Sequence, residues 1–183
     1  MRHRPAVALI VAVASLAARA STPGAVNLFP SPTKSPSCSD AGYSALDGWL
    51  GEWRATDVAS GTDAGRATIS RDLGGCVILE RWNGLGADGK PYDGFGIHRF
   101  EPASGHWIQN WFGDQADAMV AEGSEQNGGV VYERQFERDG VVIVIRQHIE
   151  PLADGRFSNR GERSTDGGTT WQTTFNLVYD RLD

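Results

Sequence analysis

From residue 49 onward, apolar and polar positions alternate in short runs, and none of these runs holds a 3.6-residue period long enough for a core helix. Segments rich in Val, Ile, Thr, Trp, Tyr and Phe occupy 49–58, 66–73, 76–85, 92–101, 106–112, 119–124, 130–138, 141–149, 156–163 and 170–181. Turn chemistry separates them, including Asp88-Gly89, Asn127-Gly128, Asp139-Gly140, Asp154-Gly155 and Asp166-Gly167. Asp-Gly and Asn-Gly pairs supply the positive φ that tight hairpins need. The pattern predicts an all-β protein, a meander of about ten antiparallel strands. Such a meander removes its exposed edges by closing into an up-and-down barrel. A short helical turn is expected at 44–49, just before the first strand.

Hairpin registers then assign side chains to faces, since directly opposed residues in a sheet share one. A two-residue turn at Asp88-Gly89 pairs Trp82 with Phe95 and Glu80 with Ile97. Ile78, Glu80, Trp82, Phe95 and Ile97 then point inward together, and His98 points outward. A three-residue loop at 103–105 adds Gln109 and Trp111 to that face, whereas a four-residue loop sends Ile108, Asn110 and Phe112 inward. A two-residue turn at Asp139-Gly140 pairs Tyr132 with Gln147 and Arg134 with Ile145. It also sets Glu133 opposite Arg146 as an outward ion pair, with His148 outward too. Trp171, Phe175, Leu177, Tyr179 and Arg181 share parity on the last strand.

The expected interior is aromatic and aliphatic, with Glu80, Gln109, Arg134 and Gln147 as polar intruders. A carboxylate or guanidinium inside a barrel must be paired, hydrated or ligand-facing. Glu80 and Arg134 could form a structural pair. Alternatively Trp82, Phe95, Trp111 and Tyr132 wall a pocket in which Glu80, Gln109 and Arg134 fix the polar end of a ligand. The functional expectation is a barrel that binds a small, partly apolar molecule without turnover. One alternative is a lyase, isomerase or cyclase with Glu80 as general acid or base. Another is a barrel filled by its own side chains that serves as a structural or interaction module.

Residues 1–20 read as a signal peptide: Arg2 and Arg4, an apolar stretch at 6–18, then Ala18-Arg19-Ala20 as a cleavage site. Residues 21–37, with Pro23, Pro30, Pro32 and Pro36, read as a disordered lead, and 38–183 as one domain. The reading is a periplasmic or secreted protein without membrane insertion after cleavage. Losing Arg2, Arg4 and Arg19 leaves 14 basic against 23 acidic residues, a net charge of −9. That balance argues against a nucleic-acid partner. Cys38 and Cys76, the two cysteines of an exported chain, are expected to form a disulfide. The histidines lack metal-site spacing, no G-x-S-x-G elbow is present, and no metal is expected.

Gly51-Glu52-Trp53 opens the first strand, and Gly-x-Trp at that place resembles lipocalins and their calycin relatives. The resemblance implies that Trp53 plugs the closed end, that Gly51 lets the backbone pass beneath it, and that Arg181 lies over Trp53. The segments LDGWLGEW (46–53), DLGGCVILERW (72–82), DGKPY (88–92), SGHW (104–107) with Gln109 and Trp111, and STDGGTTW (164–171) resemble the DUF1579-like calycins. These are secreted bacterial proteins, and the resemblance implies a lipocalin-like barrel without implying a reaction. The chain is remotely similar to nitrobindins, barrels that hold haem through a late His. Residues 170–183 contain no His, so neither haem nor any other cofactor is expected. The last of those segments also resembles the Asp-box of sialidases. There Ser164 and Asp166 would bond turn amides and Trp171 would pack on the strands. A single copy reads as a structural turn rather than a glycosidase feature.

Overall fold

The computed structural model describes residues 38–86 and 88–182. The expected signal peptide and lead lie outside the described residues. Ten strands follow in order: β1 Gly51–Asp57, β2 Asp63–Asp72, β3 Val77–Leu85, β4 Pro91–Glu101, β5 His106–Gly113, β6 Ala118–Gln126, β7 Gly129–Arg138, β8 Val141–Pro151, β9 Phe157–Ser164 and β10 Gln172–Arg181. Each pairs antiparallel with its sequence neighbours, and β1 pairs β10 to close the barrel. The expected up-and-down all-β barrel is therefore the fold.

The β7–β8 hairpin takes the anticipated register. Asp139 and Gly140 both have positive φ, 53° and 75°, as a two-residue primed turn requires. Tyr132 opposes Gln147, and Glu133 opposes Arg146. Arg146 Nη2 donates to Glu133 Oε2 at 2.8 Å on the outer face.

The β3–β4 hairpin corrects the expectation. Here Gly89 has positive φ (76°) and Asp88 does not. Gly89 N–H bonds Gly86 C=O at 2.9 Å, and Gly86 N–H bonds Lys90 C=O at 2.8 Å. The turn thus ends in a glycine bulge, and the register moves by one residue. Glu80 opposes Gly96 and Trp82 opposes Gly94. Phe95 and Ile97 consequently leave the inner face and His98 enters it. Phe95 lies outside under the guanidinium of Arg81, 4.9 Å from the ring centre. The next connection is also one residue longer than the three-residue loop, with Glu101 opposite His106. The two shifts cancel, so Gln109 and Trp111 still face inward. On β10 a bulge between Thr173 and Phe175 breaks the expected parity. Trp171 therefore packs on the outer face beneath Arg146, 4.0 Å from its ring centre.

One end of the barrel is sealed by two 3-10 turns, Ala41–Tyr43 and Asp47–Trp49. Leu46, Trp49 and Trp53 are fully buried there, with Phe157 against Trp53. Trp53 Nε1 donates to Trp49 C=O at 2.7 Å. Arg181 stacks on Trp53 at 4.3 Å and donates to the carbonyls of Leu50 (2.8 Å) and Gly48 (3.0 Å). A Cβ on Gly51, whose φ is +133°, would run into Nη1 of Arg181. Arg71 holds the cap from the other side through the Tyr43 carbonyl (2.7 Å) and an ion pair with Asp47. A Cys38–Cys76 disulfide, with a Cα separation of 4.9 Å, ties the start of the domain to β3. Closing this 38-residue span stabilises the fold by about 2–4 kcal/mol, chiefly by restricting the unfolded chain. Among the described residues no helix is long and apolar enough to cross a membrane.

Candidate functional site: an open-ended cavity with a polar floor

The opposite end is not filled. A cavity of about 830 Å³ runs into the barrel from the side of the β1–β2, β3–β4 and β5–β6 connections. Its walls include Trp82, Trp111, Tyr92, Met119, Leu177 and Tyr179. That volume suits a drug-sized molecule, and the lining has the mixture of aromatic area and sparse polar groups common in ligand sites.

Alternation along the strands builds the floor. Glu80 on β3 is 2% exposed, and His98 on β4 and Gln109 on β5 are equally enclosed. His98 Nε2 lies 3.2 Å from Glu80 Oε2, and His98 Nδ1 lies 3.0 Å from the Tyr132 hydroxyl. The ring is pinned edge-on by Trp49, with centroids 5.5 Å apart. Gly96 makes room for this group. A Cβ there would sit 3.0 Å from His98 Nε2, 3.2 Å from Glu80 Oε2 and 3.2 Å from the Trp111 ring. A Cβ on Gly94 would overlap Trp111 outright.

Burial, and then the charge of Glu80, pushes the Tyr132 phenol well above its ordinary pKa. Tyr132 therefore keeps its proton at neutral pH. Among the described residues its one side-chain hydrogen bond is to His98 Nδ1. Tyr132 and Glu80 thus hold the two ring nitrogens of His98 from opposite sides. The contiguous chain of Tyr132, His98 and Glu80 ends in a carboxyl group that lines the cavity.

Two further polar groups adjoin it. Gln147 Nε2 donates to Asn159 Oδ1 at 3.0 Å, and Asn159 Nδ2 donates to the Tyr179 hydroxyl at 3.4 Å. Nearer the mouth, Trp111 Nε1 donates to the Tyr92 hydroxyl (2.7 Å), which donates to Asp117 Oδ2 (2.6 Å). Burial first, and then the bond to Asp117, pushes Tyr92 up to about 12. The Gln109 side-chain carbonyl oxygen is buried without a hydrogen-bond partner among the described residues.

Of the residues nominated from sequence, Glu80, Trp82, Gln109 and Trp111 meet at this cavity. Phe95 does not, because the β3–β4 bulge turns it outward. Tyr132 sits beneath the floor behind His98 and is 1% exposed. Arg134 packs its guanidinium over Phe136 at 4.9 Å and does not line the cavity, so the partner of Glu80 is His98 and not Arg134. His98, outward in the register of a two-residue turn, is instead a fully enclosed inner-face residue. Its signal was Gly94-x-Gly96, two glycines on one face where the broad Trp111 needs room. His106 and His148 lie on the outer face against Glu122 and Glu162. The Asp-box turn has the expected bonding. Ser164 Oγ accepts from Gly168 N–H at 2.8 Å, and Asp166 Oδ1 accepts from Thr170 N–H at 2.9 Å.

Compared with protein-family models and with curated proteins, the chain matches none. The functional reading rests on the geometry of the barrel.

Proposed function

We propose that this protein is an exported lipocalin-like carrier or sensor that binds a small, partly apolar molecule in the open end of its barrel. The observation that carries this reading is the cavity itself, about 830 Å³ and walled by Trp82, Trp111 and Tyr92 above a polar floor. A barrel filled by its own side chains leaves no such volume. The Cys38–Cys76 disulfide accords with an oxidising compartment and hence with export. Binding without turnover needs only the walls and a few fixed polar groups, and those are the features present.

The Tyr132–His98–Glu80 chain favours a second reading, in which Glu80 exchanges a proton with a bound substrate and His98 orients the carboxylate. The two readings separate in one experiment. The chain is screened against small lipophiles and metabolites by thermal shift and tryptophan fluorescence, and each binder is then recovered and analysed for chemical change. The carrier reading expects a raised Tm, quenched emission and an unaltered compound. A binder recovered as product moves the assignment to the enzyme. A broad screen in which no compound shifts either signal overturns both.

A further inference from the structure

The cavity has a sign. Its described lining residues include four carboxyl side chains, Asp57, Glu80, Asp88 and Asp117, and no Lys, Arg or His. The inner-face parity also brings Arg134 and Arg163 toward the mouth end, yet neither lines the cavity. Asp88 is locally neutralised by Lys90 at 2.8 Å. Asp57 is held by Ser60, which donates from both backbone N–H (2.8 Å) and hydroxyl (2.7 Å), and Asp117 by the Tyr92 hydroxyl. Those donors are neutral, so both carboxylates keep their charge at the rim.

The floor adds an independent observation. Gln109, 1% exposed, presents a carbonyl oxygen with no hydrogen-bond partner among the described residues. It is cross-strand from His98, whose Nε2 contacts Glu80, and both Gln109 and Glu80 line the cavity. An unpaired buried acceptor is costly, and so is a buried carboxyl group with His98 as its one side-chain partner among the described residues. Both deficits are relieved by one kind of group, a hydrogen-bond donor carrying positive charge. Around them stand aromatic faces of Trp82, Trp111 and Tyr179, which attract a cation through their ring quadrupoles.

We infer that the ligand is an organic cation, an aryl or alkyl amine whose ammonium group sits between Glu80 and the Gln109 carbonyl while its apolar body lies against Trp111. This inference rests on the carrier reading above and deepens it. It excludes fatty acids and other carboxylates as preferred ligands, since their head groups would meet only acceptors and like charge.

Calorimetric titration of the mature chain with a matched set of probes tests it: 2-(1-naphthyl)ethylamine, 2-(1-naphthyl)ethanol and 1-naphthylacetate. The amine is expected to bind about tenfold or more tighter than the alcohol, the difference made by a charged hydrogen bond in an enclosed site. The acetate is expected to bind weakest. Glu80→Gln should bring the amine to the level of the alcohol. Gln109→Met, which keeps the volume and removes the acceptor, should reduce the amine's advantage in a chain whose Tm is checked separately. Amine, alcohol and acetate binding alike would overturn the inference and leave the carrier reading standing. So would an acetate that binds best, which would mean that the buried amide presents its NH2 group. Failure of all three probes, with other compounds of the broad screen still binding, overturns the amine assignment alone. Failure of the whole screen removes both.

Discussion

The two ends of this barrel are made by the same ten strands and differ in how their interior is filled. At the closed end the large side chains are fully enclosed and charged clamps tie the cap, although the Trp49 and Trp107 indole N–H groups have no hydrogen-bond partner among the described residues. Trp53 bonds the Trp49 carbonyl, Arg181 covers its ring and ties two cap carbonyls, and Arg71 reaches the cap from β2. At the open end Trp111 is partly buried and carboxylates ring the mouth of a cavity that reaches down to Glu80 and Gln109. The contrast separates two jobs along one axis. Apolar contacts and charged clamps at one end hold the fold together, and the other end leaves an open cavity above a polar floor.

If that division holds, equal truncations at the two ends have unequal effects. Trp53→Ala removes a fully enclosed indole and undercuts Arg181, so it should cost about 3–5 kcal/mol in denaturant unfolding. Trp111→Ala should cost about 1–2 kcal/mol, because that ring is only partly buried and lines the cavity, and should weaken ligand binding more than it weakens the fold. A Trp111→Ala variant as unstable as Trp53→Ala would erase the distinction.

Titration sharpens it further. Tyr132 has a folded pKa raised above the ordinary 10.0 by burial and by the charge of Glu80. A raised pKa gives stability that is complete below the unfolded value and is lost as pH rises beyond it. Tm measured from about pH 9 to 11 should therefore fall, and Tyr132→Phe should flatten that limb. The smallest effect belongs to the exposed Asp-box turn. Bonds from the Thr170 hydroxyl, the Thr170 amide and then the Ser164 hydroxyl hold Asp166 down at about 2. Its contribution is present above the unfolded value of 3.8 and fades as pH falls toward 2. Asp166→Asn should show a slightly shallower acid limb in the same Tm series, with binding unchanged.

How far the residues foretold this arrangement depends on turn geometry. Two Asp-Gly pairs look alike in sequence and behave differently. At Asp139-Gly140 both residues take positive φ and the register is the simple one, so Tyr132, Gln147 and the Glu133–Arg146 pair fall where alternation puts them. At Asp88-Gly89 only the glycine does, a bulge follows, and every inward residue on β4 changes. A dipeptide states that a turn occurs, and the register depends on one dihedral that longer-range packing selects. Trp53, Gly51 and Arg181 were legible through the Gly-x-Trp resemblance, which implies the β1–β10 closure that brings them together. The Glu80–His98 contact was not, since it needs the correct β3–β4 register. Gln109 and Trp111 came out inward through two shifts that cancelled.

The most direct test of the division between the ends reads the indole N–H signals of the six tryptophans by NMR as 2-(1-naphthyl)ethylamine is added. The account predicts that the Trp82 and Trp111 indoles shift with ligand, while those of Trp49 and Trp53 stay in place. Shifts at Trp49 and Trp53 with Trp82 and Trp111 unmoved would contradict it.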